Sequence, residues 1–387
     1  MYYNEIGGIK VSALGMGNMR LPTTEERGPI DREKAREIIE YAYEHGINFF
    51  DTAFRYHNGE SESFVGEVLS QYPRDSFMLI SKFPGHMMNF KDHKLGFQGY
   101  LSDFHCESLS DVFEEQLKKC RVDYFDFYLL HNMCESSYDF YTDEELDVVG
   151  YLKEQKRLGK IEHLAFSSHG RAETIDKFLT KYPDVFEYCQ LQLNYLDWTL
   201  QDAKAKYEVC EKHGIPVVVM EPVRGGRLIN LPENAEKTLK EAEPTWTNAQ
   251  WCFKFIQSLP NVAVCLSGMS TLDQLKDNLA TFEERHTFDA KHYDAVKAVV
   301  DVMLNLVPCT GCSYCTEGCP MQINIPKLIS FYNETKNGGA LLRFNMNRDN
   351  PGEDPAACIA CGACMSVCPQ GIKIPEILSE FTQMLEE

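Results

Sequence analysis

The stretch DREKAREIIEYAYEHGINFFDTA, residues 31–53, places a helix start, a helix stop and a buried strand in succession. Asp31 offers a carboxylate to cap the first turn, an amphipathic charged stretch follows, and Gly46 ends it. INFFDTA (47–53) then reads as a short apolar strand. The same alternation recurs in both directions. SALGMGN (12–18), SFMLISKF (76–83), YFDFYLLH (124–131), HLAFSSH (163–169), YCQLQLN (188–194), PVVVMEP (216–222) and VAVCLSG (262–268) are the other strand candidates, while DEELDVVGYLKEQKRLGK and QDAKAKYEVCEKHG are helices that also end at Gly. The strands are nearly continuous apolar runs, as expected where both faces are covered. Eight β–α units predict an α/β fold, a (β/α)8 TIM barrel in preference to an open sheet. YYNEIGGIKVSAL predicts a hairpin with its turn near Gly7-Gly8. The G-M-G of residues 15–17 is not a dinucleotide fingerprint, because the third Gly is missing and the unit is a barrel strand.

A chain of 387 residues accommodates such a barrel and an appended domain. No run approaches the ~18 uninterrupted apolar residues of a membrane span. The opening MYYNEIGGIKVSAL lacks the charged and apolar regions of a signal peptide, so the expected location is cytoplasmic. A formal net charge of −20 argues against nucleic-acid and membrane partners, whose phosphates call for a basic footprint. Eight of the 15 cysteines fall within residues 309–368. The other seven read as buried thiols that pack like small hydrophobes.

Near residue 300 the pattern changes. C-x2-C-x2-C-x3-C-P-x-x-I-x-I-P runs from Cys309 to Pro326 and again from Cys358 to Pro375. The expected domains are therefore a barrel over 1–300 and a second domain over 301–387. Each half of the repeat offers four thiolates at the spacing that wraps a cubane 4Fe–4S cluster, whereas zinc sites use paired C-x2-C arms. In two-cluster ferredoxins the fourth Cys ligates the other cluster. One cluster is thus expected on Cys309, Cys312, Cys315 and Cys368, and a second on Cys358, Cys361, Cys364 and Cys319. The connection over 320–357 is long and reads as a helix followed by a loop, so the domain resembles the small, mainly helical ferredoxin-like two-cluster domains.

In the barrel, four polar residues sit at or just past strand ends: Asp51, Tyr56, Lys82 and His131. Taken alone, Asp51 reads as a cap for the next turn, and Lys82 and His131 as solvated strand ends. Together they line one mouth, because adjacent strand ends of a barrel converge. An ammonium beside a phenol lowers its pKa, a buried carboxylate holds the ammonium, and an imidazole can donate to a carbonyl oxygen. The chemistry they suit is carbonyl reduction, with Tyr56 giving the proton. Three long loops, 84–102, 132–142 and 222–247, are expected at the same face, with Phe54, Phe83, His86, Met133, Tyr138 and Trp198 as pocket lining.

DTAFRYHNGESE (51–62), LISKF and YFDFYLLH resemble the catalytic segments of the aldo/keto reductases, specifically the branch with a C-terminal 4Fe–4S domain. The resemblance covers essentially the whole chain. It implies that Asp51, Tyr56, Lys82 and His131 form the catalytic tetrad. It implies carboxamide contacts from Ser167 and Ser168 in AFSSHG and from Gln190 in QLQLNY. MEPVRGGRL (220–228) resembles the cofactor loop, implicating Met220, Pro222 and Arg224. LSGMSTLDQLKDNL (266–279) resembles the adenosine-end motif, implicating Gly268, Met269, Ser270, Gln274, Asp277 and Asn278. Two departures stand out. Met220 lies where many members stack an aromatic residue, and Gly268 and Gln274 lie where many NADP-preferring members carry a cation. Arg224 and Arg227 are candidate substitutes, which leaves NADPH as the expected nucleotide with NADH as the alternative.

The expected activity is NAD(P)H-dependent interconversion of a small carbonyl and its alcohol. Hydride carries two electrons and clusters carry one, so coupling them calls for a flavin, a substrate radical or an external redox carrier; otherwise the clusters are structural. The rival class is an iron–sulfur electron-transfer or redox-sensing protein whose barrel has lost carbonyl chemistry.

Overall fold

The computed structural model describes residues 1–25, 28–97, 106–303, 307–309, 311–336, 348 and 350–386. Residues 98–102 of the first long loop and 337–347 of the connection lie outside the described residues. The chain divides into two compact units, Met1–Ile229 with Ala249–Phe288, and Asn230–Asn248 with Asp289–Glu387.

In the first unit, β1 (Tyr3–Ile6) and β2 (Ile9–Ser12) form the expected hairpin. Gly7 and Gly8 turn it at φ +58° and +84°, the positive values a two-residue hairpin requires. There follow β3 (Leu14–Gly17), β4 (Phe49–Asp51), β5 (Met78–Phe83), the hairpin β6 (Met88–Lys91) and β7 (Lys94–Phe97), then β8 (Phe125–Leu130), β9 (Ile161–Ser168), β10 (Cys189–Gln192), β11 (Val217–Met220) and β12 (Val262–Ser267). Strands β3, β4, β5, β8, β9, β10, β11 and β12 close in that order into a parallel barrel. The helix Arg32–Glu44 starts where the sequence predicts: the Asp31 side chain accepts from the Lys34 N–H, and Gly46 leaves the helix at φ +91°. The hairpin β6–β7 lies in a stretch that reads as loop. Its turn, Asp92-His93, takes φ +51° and +59° without a glycine, so the usual turn signal is missing.

Strand alternation positions the site. Phe49, Ile80, Leu129, Ala165, Tyr188, Val218 and Leu266 pack together inside the barrel, and Ile6 and Val11 of the first hairpin join them. Side chains repeat a face every second residue. Two residues further along the chain, on the same inward face, come Asp51, Lys82, His131, Ser167, Gln190, Met220 and Gly268. Gly15 belongs to the interior layer, where a Cβ would lie 2.7 Å from Leu266 Cδ2. The same rule sends Phe83 outward to the helices, away from the mouth.

In the second unit, the helices Glu233–Ala242 and Ala290–Met303 pack on each other. Each cysteine run contains a one-turn helix, Tyr314–Glu317 or Ala363–Ser366, and leads into a longer one, Ile325–Lys336 or Ile374–Glu386. The I-P of the repeat sets the start of each long helix, because proline is tolerated in the first turn, where its missing N–H has no partner to lose. Ile323, Ile325, Leu328, Tyr332, Ile372, Ile374, Leu378 and Phe381 form the core, with Cys315 and Cys364 in it. Among the described residues no helix is long and apolar enough to cross a membrane.

Candidate active site and cluster cages

At the barrel mouth Lys82 Nζ lies 2.6 Å from Asp51 Oδ1, 2.8 Å from the Thr52 carbonyl and 3.4 Å from the Tyr56 hydroxyl. Lys82 is fully buried and Asp51 is 2% exposed, so the ion pair works in a weakly screened setting. The pair holds Lys82 above the usual ammonium range despite the opposing effect of burial. Burial is also the largest influence on Tyr56 and raises its pKa, while Lys82 pulls it down. The sequence reading expects a phenol made acidic by the ammonium. That pull is present, and burial outweighs it at rest. Tyr56 is presented by a turn in which His57, Asn58 and Gly59 all take positive φ, a strained conformation held by the surrounding structure.

His131 completes the group, edge-on to Tyr56 with ring centroids 6.1 Å apart. Burial, then the charges of His86 and Lys82, keep it well below the usual imidazole range and therefore neutral. Its carbonyl accepts from the Tyr141 hydroxyl at 2.7 Å, which also donates to Phe83 O at 3.1 Å. His86 packs against it at 4.5 Å, and burial pushes its own pKa down to about 4.

The structure brings the expected nicotinamide contacts to this mouth with different degrees of freedom. Gln190 Oε1 is buried and has no partner among the described residues, an acceptor suited to a carboxamide N–H. Ser167 Oγ accepts from Asn132 N–H at 2.8 Å, which leaves its proton to give. The Ser168 hydroxyl faces the other way; it donates to Met133 O and accepts from Gly170 N–H. Met220 ends β11 on the inward face, and Pro222 is buried just after it. Arg224 Nε is held 3.0 Å from Asp197 Oδ1. Gly268 lies against Arg20, whose Cβ would be 3.0 Å from an added Cβ. Ser270 donates its hydroxyl to Arg20 O, and its N–H reaches Gln274 Oε1. Asp277 accepts from Gln250, while Met269 and Asn278 are buried, with Asn278 donating to Ser267 Oγ.

Two residues the sequence reading missed organise this region. Fully buried Asp197 accepts from Gln192, Asn194 and Arg224, tying the end of β10 to the loop after β11. Arg20, ion-paired to Glu221 at 3.5 Å, sits between that loop and Gly268. Neither the Arg20–Glu221 pair nor the Asp197–Arg224 pair has a local sequence signal, because the partners lie far apart along the chain.

The cysteines surround two cavities. Cys309, Cys312, Cys315 and Cys368 line one, together with Ser313, Gln370 and Ile374. Cys319, Cys358, Cys361 and Cys364 line another, with Met321, Ile359 and Ala363. Each run therefore contributes its fourth cysteine to the other cage, in the crossed arrangement the spacing predicts. Burial raises the Cys309 thiol, and Cys312 and Cys368 add to the rise; Cys364 is raised by burial and then by Cys358, Cys361 and Cys319. Among the described residues no three Cys, His, Asp or Glu side chains converge for a single metal ion. Four sulfurs spread around a cavity suit a polynuclear cluster better than one zinc.

The fold is a closed eight-stranded parallel barrel with Asp51, Tyr56, Lys82 and His131 gathered at its mouth. The Aldo/keto reductase family profile matches residues 13–301, and the 4Fe-4S dicluster domain profile matches residues 308–372. The chain belongs to the aldo/keto reductase family. It is 30% identical to "Probable aldo-keto reductase 1" of Glycine max over 59% of this chain, a match that spans 62% of the soybean protein. It is 25% identical to "NADH-specific methylglyoxal reductase" of Escherichia coli over 70% of this chain and 90% of that protein. The holo form of an aldo-keto reductase from Bacillus halodurans superposes with a TM-score of 0.61 at 25% identity, covering 77% of this chain and 96% of that one.

Proposed function

We propose that the protein reduces a small aldehyde or ketone with NAD(P)H, or oxidises the alcohol in reverse, and carries two 4Fe–4S clusters on the eight cysteines of its repeat. The observation that carries the reading is Lys82 Nζ set between Asp51 Oδ1 at 2.6 Å and the Tyr56 hydroxyl at 3.4 Å. When bound, the nicotinamide supplies the hydride. Asp51 keeps Lys82 charged and aimed. Neutral His131 donates to the substrate oxygen. Tyr56 releases its proton to the nascent alkoxide, a much stronger base than phenolate, and Lys82 stabilises the phenolate left behind. A raised resting pKa suits this order, because the phenol holds its proton until charge develops beside it.

Gln190 and Ser167 are the side chains that would hold the carboxamide, and Ser270, Gln274 and Asp277 the adenosine end. NADPH is the first nucleotide to test, since Arg20 lies against Gly268 and Ser270 at that end and Arg224 is a second cation, on the loop after β11. NADH is the alternative, since each guanidinium already faces a carboxylate. Clusters accept single electrons, so an external one-electron carrier or a flavin would link them to hydride chemistry. The competing idea of a barrel without carbonyl chemistry leaves the buried Asp51–Lys82–Tyr56 arrangement without a purpose.

The test is an anaerobic titration with NADPH and with NADH, then a panel of small carbonyls followed by nicotinamide absorbance. Tyr56→Phe is expected to lose roughly 10²–10⁴-fold in kcat while still binding nucleotide. Turnover near the parent rate would remove the proposal.

A further inference from the structure

Glu62 is a fully buried acid that takes no part in the steps above. It is the second residue of the helix Ser61–Leu69, which begins just after the turn that presents Tyr56. Its Oε1 accepts from Ser81 Oγ at 2.6 Å and from Gln116 Nε2 at 2.5 Å. Ser81 precedes Lys82 in β5, so the two side chains point to opposite faces: Lys82 into the mouth, Ser81 out toward the helices. Gln116 Nε2 also lies 2.9 Å from Ser81 Oγ and 3.1 Å from the Lys82 carbonyl. The Tyr128 hydroxyl donates to Gln116 Oε1, which settles the direction of that amide.

The preceding residue makes the matching tie to β4. Ser61 Oγ lies 2.8 Å from Thr52 Oγ1 and donates to Asn18 O at 3.2 Å. Thr52 follows Asp51, and its carbonyl is the one that accepts from Lys82 Nζ. Asn18 Nδ2 in turn donates to Asp51 O at 3.0 Å. Asn18, Thr52, Ser61, Ser81, Gln116 and Tyr128 are as fully buried as Glu62. Ser61 and Glu62 therefore pin the start of one helix beside Asp51 and beside Lys82, and the segment 53–60 that carries Tyr56 is strung between these fixed points. The Tyr56–Lys82 separation of 3.4 Å is at the long end for a hydrogen bond, so little displacement breaks it. Packing alone does not call for an acid here, because burying a carboxylate is costly and an apolar residue would fill the space without that cost.

We propose that Glu62 is a positioning residue: through Oε1 it registers the helix that presents Tyr56 against the β5 peptide that carries Lys82, and so sets the phenol-to-ammonium distance on which proton delivery depends. It acts through Ser81 and Gln116, not by contact with substrate. The inference rests on the carbonyl reduction proposed above.

Steady-state kinetics of Glu62→Ala, Glu62→Gln and Ser81→Ala in the full, cluster-loaded chain test it, using the small aldehyde that the parent reduces fastest, in H2O and in D2O. Glu62→Ala should lose roughly 10²-fold in kcat through misplacement of the acid, with KM for the nucleotide unchanged. Its solvent isotope effect on kcat should exceed the parent's, because release of the Tyr56 proton becomes the slow step; a misfolded fraction would lower the apparent kcat and leave the isotope effect where it was. Glu62→Gln keeps the accepting oxygen and should hold kcat within about threefold of the parent. Ser81→Ala removes the tie on the strand side, should raise the isotope effect in the same way, and reports if Glu62→Ala does not fold. An isotope effect that stays at the parent's value in Glu62→Ala, or in Ser81→Ala should the first not fold, overturns the inference, as does a Glu62→Gln as slow as Glu62→Ala. A parent chain that reduces no carbonyl with NADPH or NADH would instead remove the proposed reduction and this inference with it.

Discussion

In the proposed reduction Tyr56 is the acid: burial keeps its proton on, and Lys82 stands within reach to stabilise its loss. The sign of the pH effect follows. Reduction requires the protonated phenol, whose pKa lies above 10, and the neutral imidazole of His131, whose pKa lies well below 6.5. Neither group titrates between about pH 6.5 and 9, so log(kcat/KM) for reduction should be flat across that window; a break near pH 7.5 would reassign the acid. The ion pair beneath it is sensitive to truncation. Lys82→Met leaves the Asp51 carboxylate buried and unpaired, at a cost of about 3–5 kcal/mol in denaturant unfolding. Adding Asp51→Asn should recover part of that loss, because the stranded charge is gone. The gathering of Asp51, Tyr56, Lys82 and His131 was legible in the sequence as four chemically apt residues at or just past neighbouring strand ends. Asp197 was not, because its meaning lies in whom it meets: Gln192 and Asn194 nearby, but Arg224 a whole β–α unit later.

At the scale of elements, helix spacing is set by close approach. The helix Ser61–Leu69 meets the end of Leu109–Cys120 so tightly that a Cβ on Gly66 would lie 2.3 Å from the Cys120 carbonyl oxygen. Backbone cannot step aside as a flexible side chain can. Gly66→Ala should therefore destabilise by about 3 kcal/mol, seen as a lower denaturation midpoint at unchanged slope. All eight barrel strands were readable from apolar runs followed by helix-forming stretches, and their ends fell within a few residues of the expected ones. Inward and outward facing was harder to read, because apolar runs do not show which face is which. Only the packed layer of Phe49, Ile80, Leu129 and their neighbours separates Ser167, which faces inward, from Ser168, which binds backbone.

At the scale of the whole molecule, an aldo/keto reductase barrel and a two-cage domain are joined in one chain. The spacing C-x2-C-x2-C-x3-C-P made the second legible, since ligand geometry is local and nearly rigid. The cavities divide the eight cysteines three-plus-one. Cys368→Ser should consequently disturb the EPR signature of the cluster bound by the first run, not that of its own; disturbance of the second-run signal alone would mean uncrossed ligation. Because each run lends its fourth cysteine to the cage of its twin, neither cage is complete on one run alone. Metal loading becomes a joint event for the two halves. Chains starved of iron should separate into filled and empty populations by native mass spectrometry, with few carrying a single cubane.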